Sequence, residues 1–250
     1  MSAHLNIQDP QGAGSFLSDT PLFKDCGAAF FEEIERGAAI HTHSKGKLLF
    51  LHGDEAQSFF LIKSGWVKLF RETLDGTQAV IDILPAGYIF GETAIFDRDI
   101  SPYSAEIVEA AEIIAYPLRI LKSEIESNNA LALNMLSSMA RYRREQDREI
   151  EHREIQNAPQ RIGCFLLRLA PQNQTGAVKI HLPYDKTLVA SRLGMQPETF
   201  SRALGKLKQQ TGIKIHGATI ELDSLDQLSS FSCAACSSEF PCKDLENKNY

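Results

Sequence analysis

Residues 185–212, DKTLVASRLGMQPETFSRALGKLKQQTG, decide how the rest of the chain is read. They divide into two helical segments. The first opens at Asp185, a residue type that caps helix N-termini. Val189 and Leu193 lie four apart on one face, and Gly194 closes the segment as a C-terminal glycine would. The second opens with Pro197, whose missing N–H is not needed in a first helical turn. Phe200, Leu204 and Leu207 follow the i, i+4, i+7 rule and form its buried face. Glu198, Ser201 and Arg202 fall three and four apart on a different, polar face. Gly205 continues that face without a side chain, so a backbone can come close. Two short helices, a glycine turn and a polar outer face describe a helix-turn-helix.

The polar face has the chemistry to read DNA. An arginine donates two parallel hydrogen bonds to guanine O6 and N7, a glutamate accepts from the cytosine amino group, and a serine serves either way. The bland alternative is a solvated helix with an i, i+4 Glu–Arg pair, and spacing alone leaves the two open. LGMQPETFSRALGKL resembles the recognition segment of the CRP/FNR superfamily of bacterial transcription regulators, and its E-x-x-S-R core is similar to that of the FNR and DNR branches. The resemblance runs over roughly residues 21–228 in domain order. It implies reading of TTGAT half-sites by Glu198, Ser201 and Arg202, with RNA polymerase as a further partner.

Net charge is −6, unpromising for a DNA binder until it is divided along the chain. Residues 157–228 hold nine Lys/Arg against five Asp/Glu, a net of +4, whereas residues 1–156 carry −9. A basic reading head on an acidic sensor is the expected layout. A length of 250 residues suits two modest domains. No apolar run approaches the roughly 18 residues of a transmembrane helix, and residues 1–19 lack a signal peptide's basic start and apolar core. The expected location is the cytoplasm, away from membranes, with reduced thiols that make the five cysteines poor disulfide candidates.

Residues 1–20, polar and rich in Gly, Ser, Pro and Asp, suggest a mobile arm. Residues 23–40 suggest an amphipathic helix. From 41 to 117 the chain has strand texture punctuated by Gly53, Gly65, Gly76 and Gly87, and Asp75-Gly76 is a hairpin dipeptide supplying positive φ at both turn positions. Pattern alone gives an antiparallel barrel or sandwich; the resemblance makes residues 21–117 a double-stranded β-roll like that of cyclic-nucleotide-binding domains. Residues 118–155, free of proline and glycine, read as one long helix. Its seam of Ala132, Leu136, Met139, Arg143, Gln146 and Ile150 keeps coiled-coil spacing, so 118–156 is the expected homodimer element; the alternative is a surface helix packed on the roll. Asn157-Ala158-Pro159-Gln160 marks a hinge. Residues 161–169 then start the DNA-binding domain, 157–228. Residues 213–222 form a hairpin with Gly217 in its turn, which completes a winged helix-turn-helix in an α+β protein. Ser191, Thr199, Lys214 and His216 are the expected phosphate contacts.

The effector is less legible. Gly91-Glu92 matches the GE motif of the cyclic-nucleotide-binding relatives, but their Arg-Ser-Ala is Tyr103-Ser104-Ala105 here. An effector pocket is expected around Gly91, Glu92, Tyr103 and Ser104, without the bidentate partner that a cyclic nucleotide's phosphate requires. The PYSA stretch is similar to the DNR branch, which implies a response to nitric oxide or redox state. Tail residues 229–250 carry Cys233, Cys236 and Cys242, a spacing that suggests iron–sulfur or zinc ligation, against incidental thiols in a disordered tail. A Gram-positive FNR variant has similar C-terminal cysteines completed by an aspartate on the dimer helix, which implies Asp147 as a fourth ligand. FNR's own N-terminal cysteine pattern is missing, since Cys26 is alone. Haem is the alternative cofactor, through His41, His43 or His52, although lone histidines in strands are more often ordinary polar residues. Cys164, on an apolar helix face, is expected in the core. No P-loop, nucleophile elbow or His-Glu-x-x-His is present, so no enzyme is expected. The competing function is a small-molecule sensor or adaptor that uses the roll without DNA, and the intact Glu198, Ser201 and Arg202 argue against it.

Overall fold

The computed structural model describes residues 13–170, 176–182 and 186–236. They form two compact units, and the division falls inside a long helix, between Ala140 and Arg141.

The first unit opens with α1 (Ala13–Ser18) and α2 (Ala28–Arg36). The expectation of a mobile arm to residue 20 is corrected from residue 13 onward: Leu17 is fully buried, and the Thr20 hydroxyl donates to its carbonyl at 2.7 Å. The helix expected over 23–40 is shorter: α2 buries Phe30 and Ile34 with Phe31 packed beside them, and Ala39 already begins a strand. Six strands follow: β1 (Ala39–His43), β2 (Leu48–Phe50), β3 (Ser58–Glu72), β4 (Gln78–Pro85), β5 (Ile89–Phe90) and β6 (Ser104–Pro117). The antiparallel order is β1-β6-β3-β4, with β2 also on β6 and β5 on β3. Strands β3 and β6 pair from Ser58↔Pro117 to Phe70↔Ser104 and so run through the whole roll. Their pairing slips at a bulge where Gly65 holds φ 85°; a Cβ there would meet Ala110 O at 2.5 Å. Ile62, Val67, Leu69, Phe90, Ile107 and Ile113 fill the interior.

Two local expectations fail. The β3–β4 connection is a five-residue loop closed by Thr73 N–H to Thr77 O at 2.9 Å, and only Gly76 has positive φ. The Asp75 side chain instead accepts from the Thr73 hydroxyl and the Thr77 N–H, which stabilises the loop from within. The single helix over 118–155 is two, α3 (Leu118–Ser127) and α4 (Asn129–Ile155). Between them Asn128 is extended, and its Oδ1 accepts from Ala130 N and Leu131 N at 3.1 and 3.2 Å. Asparagine as an N-cap breaks the helix without proline or glycine.

The second unit runs from Arg141. The Asn157–Gln160 segment is a capping box: each side chain accepts from the other's backbone N–H, at 3.1 and 3.0 Å, and α5 (Ala158–Leu169) starts there. Then come β7 (Val178–His181), α6 (Lys186–Arg192), α7 (Pro197–Thr211), β8 (Lys214–His216), β9 (Thr219–Leu222) and α8 (Asp226–Ser232), followed by a 3-10 turn over Cys233–Ala235. The wing is a three-stranded sheet, β7-β9-β8; its β7 is too short and mixed in composition to be read from sequence. The expected boundary of the tail at 229 cuts through α8, whose Leu228 and Ser232 are fully buried. Gly163 lets α8 close on α5, since a Cβ there would lie 2.0 Å from Ser232 Oγ.

Candidate nucleic-acid interface

Helix α7 owes its orientation to one face. Phe200, Ala203, Leu204 and Leu207 are buried in a core shared with Ile162, Val189 and Ile220, and each large apolar side chain there contributes about 1.5–3 kcal/mol. The turn before it is set by Gly194 at φ 63°, with Met195 N–H donating to Ala190 O at 2.9 Å. The end is set by Gly212 at φ 75°, whose N–H donates to Lys208 O. Asp185, the expected cap of α6, lies outside the described residues.

The remaining face is open. Glu198, Ser201, Arg202 and Gly205 are exposed, and Glu198 and Arg202 form no ion pair with each other. Of the expected phosphate contacts, Ser191, Lys214 and His216 are exposed and Thr199 is half-buried. All seven side chains belong to the second unit.

A group of charges joining α4, α5 and α6 escaped the sequence reading. Both terminal nitrogens of Arg192, on α6, donate to the two carboxylate oxygens of Glu149, on α4, one at 3.0 Å. Arg168 on α5 lies 3.7 Å from the same carboxylate. Burial pushes the Glu149 pKa up, but the bonds and charge of Arg192, with Arg168 and Arg153, outweigh it and hold the carboxyl below its ordinary value.

Of the residues expected around an effector pocket, Gly91 and Tyr103 are bonded to each other in the roll. Gly91, at φ 86°, donates its N–H to the Tyr103 hydroxyl at 2.9 Å. Ser104 Oγ accepts from His52 N at 2.9 Å, and the Tyr103 ring lies 6.1 Å from that of Phe50. Glu92 Oε2 is buried without a hydrogen-bond partner, and desolvation pushes the carboxyl's pKa up to about 7 against a smaller opposing backbone bond. His41 and His43 sit on the edge strand β1, their ring centroids 5.9 Å apart; burial lowers the His43 pKa, helped by His41 and Lys47. Burial, then Glu124 and Asp25, pushes the Cys26 thiol up to about 12, so it stays protonated.

On α4, the seam residues Leu136, Met139, Arg143, Gln146 and Ile150 are exposed, Leu136 at 60% and Ile150 at 58%. Asp147 accepts from Arg143 Nε at 2.9 Å on the same exposed surface. In the last turns of α4, buried His152 has its Nε2 3.5 Å from Cys236 Sγ and its Nδ1 3.9 Å from Cys164 Sγ. Cys164, expected in the core, is half-buried and faces this histidine. Burial lowers the His152 pKa, as do Arg168 and Arg148 against the opposing pull of Glu151 and Glu149. Cys233 and Cys236 are half-buried and not in disulfides, and Cys242 lies outside the described residues. Among the described residues, no three His, Cys, Asp or Glu side chains are gathered to hold a metal ion. None of the described helices is long and apolar enough to cross a membrane.

Residues 40–128 match the cyclic nucleotide-binding domain family and residues 160–231 the Crp-like helix-turn-helix domain family. The Cyclic AMP receptor protein of Thermus thermophilus is 29% identical over 209 residues, covering 82% of this chain and 94% of its own. The Fumarate and nitrate reduction regulatory protein of Salmonella typhimurium is 25% identical, over 80% of this chain and 79% of its own. A solved structure from Ruegeria pomeroyi, of a candidate cyclic nucleotide binding protein, aligns with a TM-score of 0.63 at 29% identity, over 88% of this chain and 96% of that one. With a nucleotide-binding-type roll and a Crp-like helix-turn-helix matched in this order, the chain belongs to the CRP/FNR superfamily and is a DNA-binding transcription regulator, not an enzyme.

Proposed function

We propose that the protein acts as a dimer in the cytoplasm, reads TTGAT-like half-sites through α7 and answers a redox or gas signal. One observation carries the DNA reading: Glu198, Ser201 and Arg202 share the open face of a helix whose opposite face is locked into a core. Arg202 takes guanine, Glu198 takes the cytosine amino group, and Ser201 serves either base. Ser191, Thr199, Lys214 and His216 hold phosphates and fix the register. A second copy covers Leu136, Met139 and Ile150, and the two-fold axis presents two α7 helices to paired half-sites. RNA polymerase is the partner to which such a dimer passes the signal. Arg202→Ala is expected to weaken binding to a TTGAT palindrome by about 1–3 kcal/mol and to relax selection at the guanine. Fluorescence anisotropy at fixed salt on specific and random duplexes checks this, and equal losses on both refute base reading.

The roll does not suit a cyclic nucleotide, although the Thermus relative is named for one. Tyr103 stands where the family's phosphate arginine is expected, and its hydroxyl already takes the Gly91 N–H. The unpaired Glu92 Oε2 favours an uncharged ligand able to donate a hydrogen bond, which is the second reading. For the redox signal, the half-buried thiols of Cys233 and Cys236 suit a thiophilic centre, iron–sulfur or zinc. Haem has less support, because His41 and His52 are exposed.

A further inference from the structure

The geometry points to His152 as a metal ligand alongside Cys233 and Cys236, with Cys164 steadying the far side of its ring. This rests on the reading of the tail thiols as metal ligands and goes beyond it by naming the donor that α4 contributes. On a tetrahedral zinc, Zn–S of about 2.3 Å and Zn–N of about 2.0–2.1 Å put ligand sulfur and nitrogen about 3.5 Å apart. His152 Nε2 and Cys236 Sγ are separated by that distance, 3.5 Å, across 84 residues of sequence. A ligating imidazole keeps its second N–H on an acceptor, which fixes the ring. Here Nδ1 faces Cys164 Sγ at 3.9 Å, a weak acceptor but the sulfur on that side.

The histidine lies in buried surroundings. His152 is only 8% exposed, and Gln156, one turn on, is 6% exposed with both amide atoms buried and unpartnered. Cys233 opens the 3-10 turn that leads to Cys236, and since no three donors are gathered among the described residues, binding requires that turn to rearrange so that Cys233 joins His152 and Cys236. Asp147 is a poorer donor, exposed and already bonded to Arg143. Two thiolates and an imidazole suit zinc, and an imidazole can also replace thiolate on an iron–sulfur cluster. Either centre would tie the last turns of α4 to the end of α8.

The test uses the full-length protein under anaerobic conditions in two arms: titration with cobalt(II) followed by zinc, and reconstitution with ferrous iron and sulfide. Metal content and the absorption spectrum are measured for the wild type, His152→Gln and Cys236→Ser. We expect tight binding in at least one arm, weakened more than about tenfold in both variants. X-ray absorption at the metal edge of the wild type guards against a misfolded variant: it should show a nitrogen scatterer beside the sulfurs. Loss in Cys236→Ser with wild-type binding in His152→Gln, or a shell of sulfur alone, rejects His152 and leaves the tail thiols as ligands. No binding by the wild type in either arm overturns both.

Discussion

Helix α7 and the Gly91–Tyr103 corner of the roll both gather polar groups proposed to meet a ligand or partner, but they are built on opposite terms. On α7 the polar side chains are exposed, and the structural load falls on Phe200 and Leu204 behind them. In the roll the polar groups are turned inward: Gly91 to Tyr103 and Ser104 to His52, with Glu92 Oε2 buried and unpartnered. The first arrangement exchanges contacts with a partner at little cost to folding. The second ties any exchange of ligand to the stability of the domain, because the groups that would meet the ligand already bond to the protein or are desolvated.

The largest test of this contrast is Phe200→Ala. Emptying a buried aromatic site is expected to cost about 3–5 kcal/mol, so DNA binding should vanish while the roll keeps its own unfolding transition by calorimetry. Simultaneous loss of both transitions would show that the two units do not fold independently. A smaller effect is expected from Glu92→Gln. With a folded pKa of about 7 and an ordinary one of 4.5, Glu92 costs nothing below pH 4.5, where folded and unfolded chains are both protonated. Stability is then lost as pH rises towards 7, because the unfolded chain releases the proton first. The glutamine variant should match the wild type at pH 4 and melt higher at pH 8, with DNA affinity unchanged; equal melting at pH 8 would mean that Glu92 is solvated. The smallest effect belongs to Asp147→Asn. Its pair with Arg143 is exposed, so stability should move by less than about 0.5 kcal/mol in urea titration. Metal content should not change, and a loss of metal would return Asp147 to the ligand set.

The same contrast explains what could be read from sequence. Helix α7 announced itself because Phe200, Leu204 and Leu207 repeat at the helical period and Pro197 and Gly212 mark its ends. The roll's glycines at 53, 65, 76 and 87 all take positive φ, so its punctuation was legible too. The break at Asn128 was not, because an asparagine cap is indistinguishable from a mid-helix asparagine until its Oδ1 finds the next turn. The His152–Cys236 contact was equally hidden, since no periodicity connects positions 84 residues apart. Likewise Glu149 and Arg192 read as two unrelated surface charges until the fold sets them face to face.

Those two residues, with Arg168, make a truss. Glu149 on α4, Arg168 on α5 and Arg192 on α6 pin three helices at a single carboxylate. Three helices that meet at one carboxylate cannot slide past one another without stretching its bonds to Arg192. Helix α6 joins α7 through the tight Gly194 corner, which leaves little slack. A displacement of Glu149 is therefore expected to be felt on α6 and, through that corner, at the start of α7, the helix that carries Arg202.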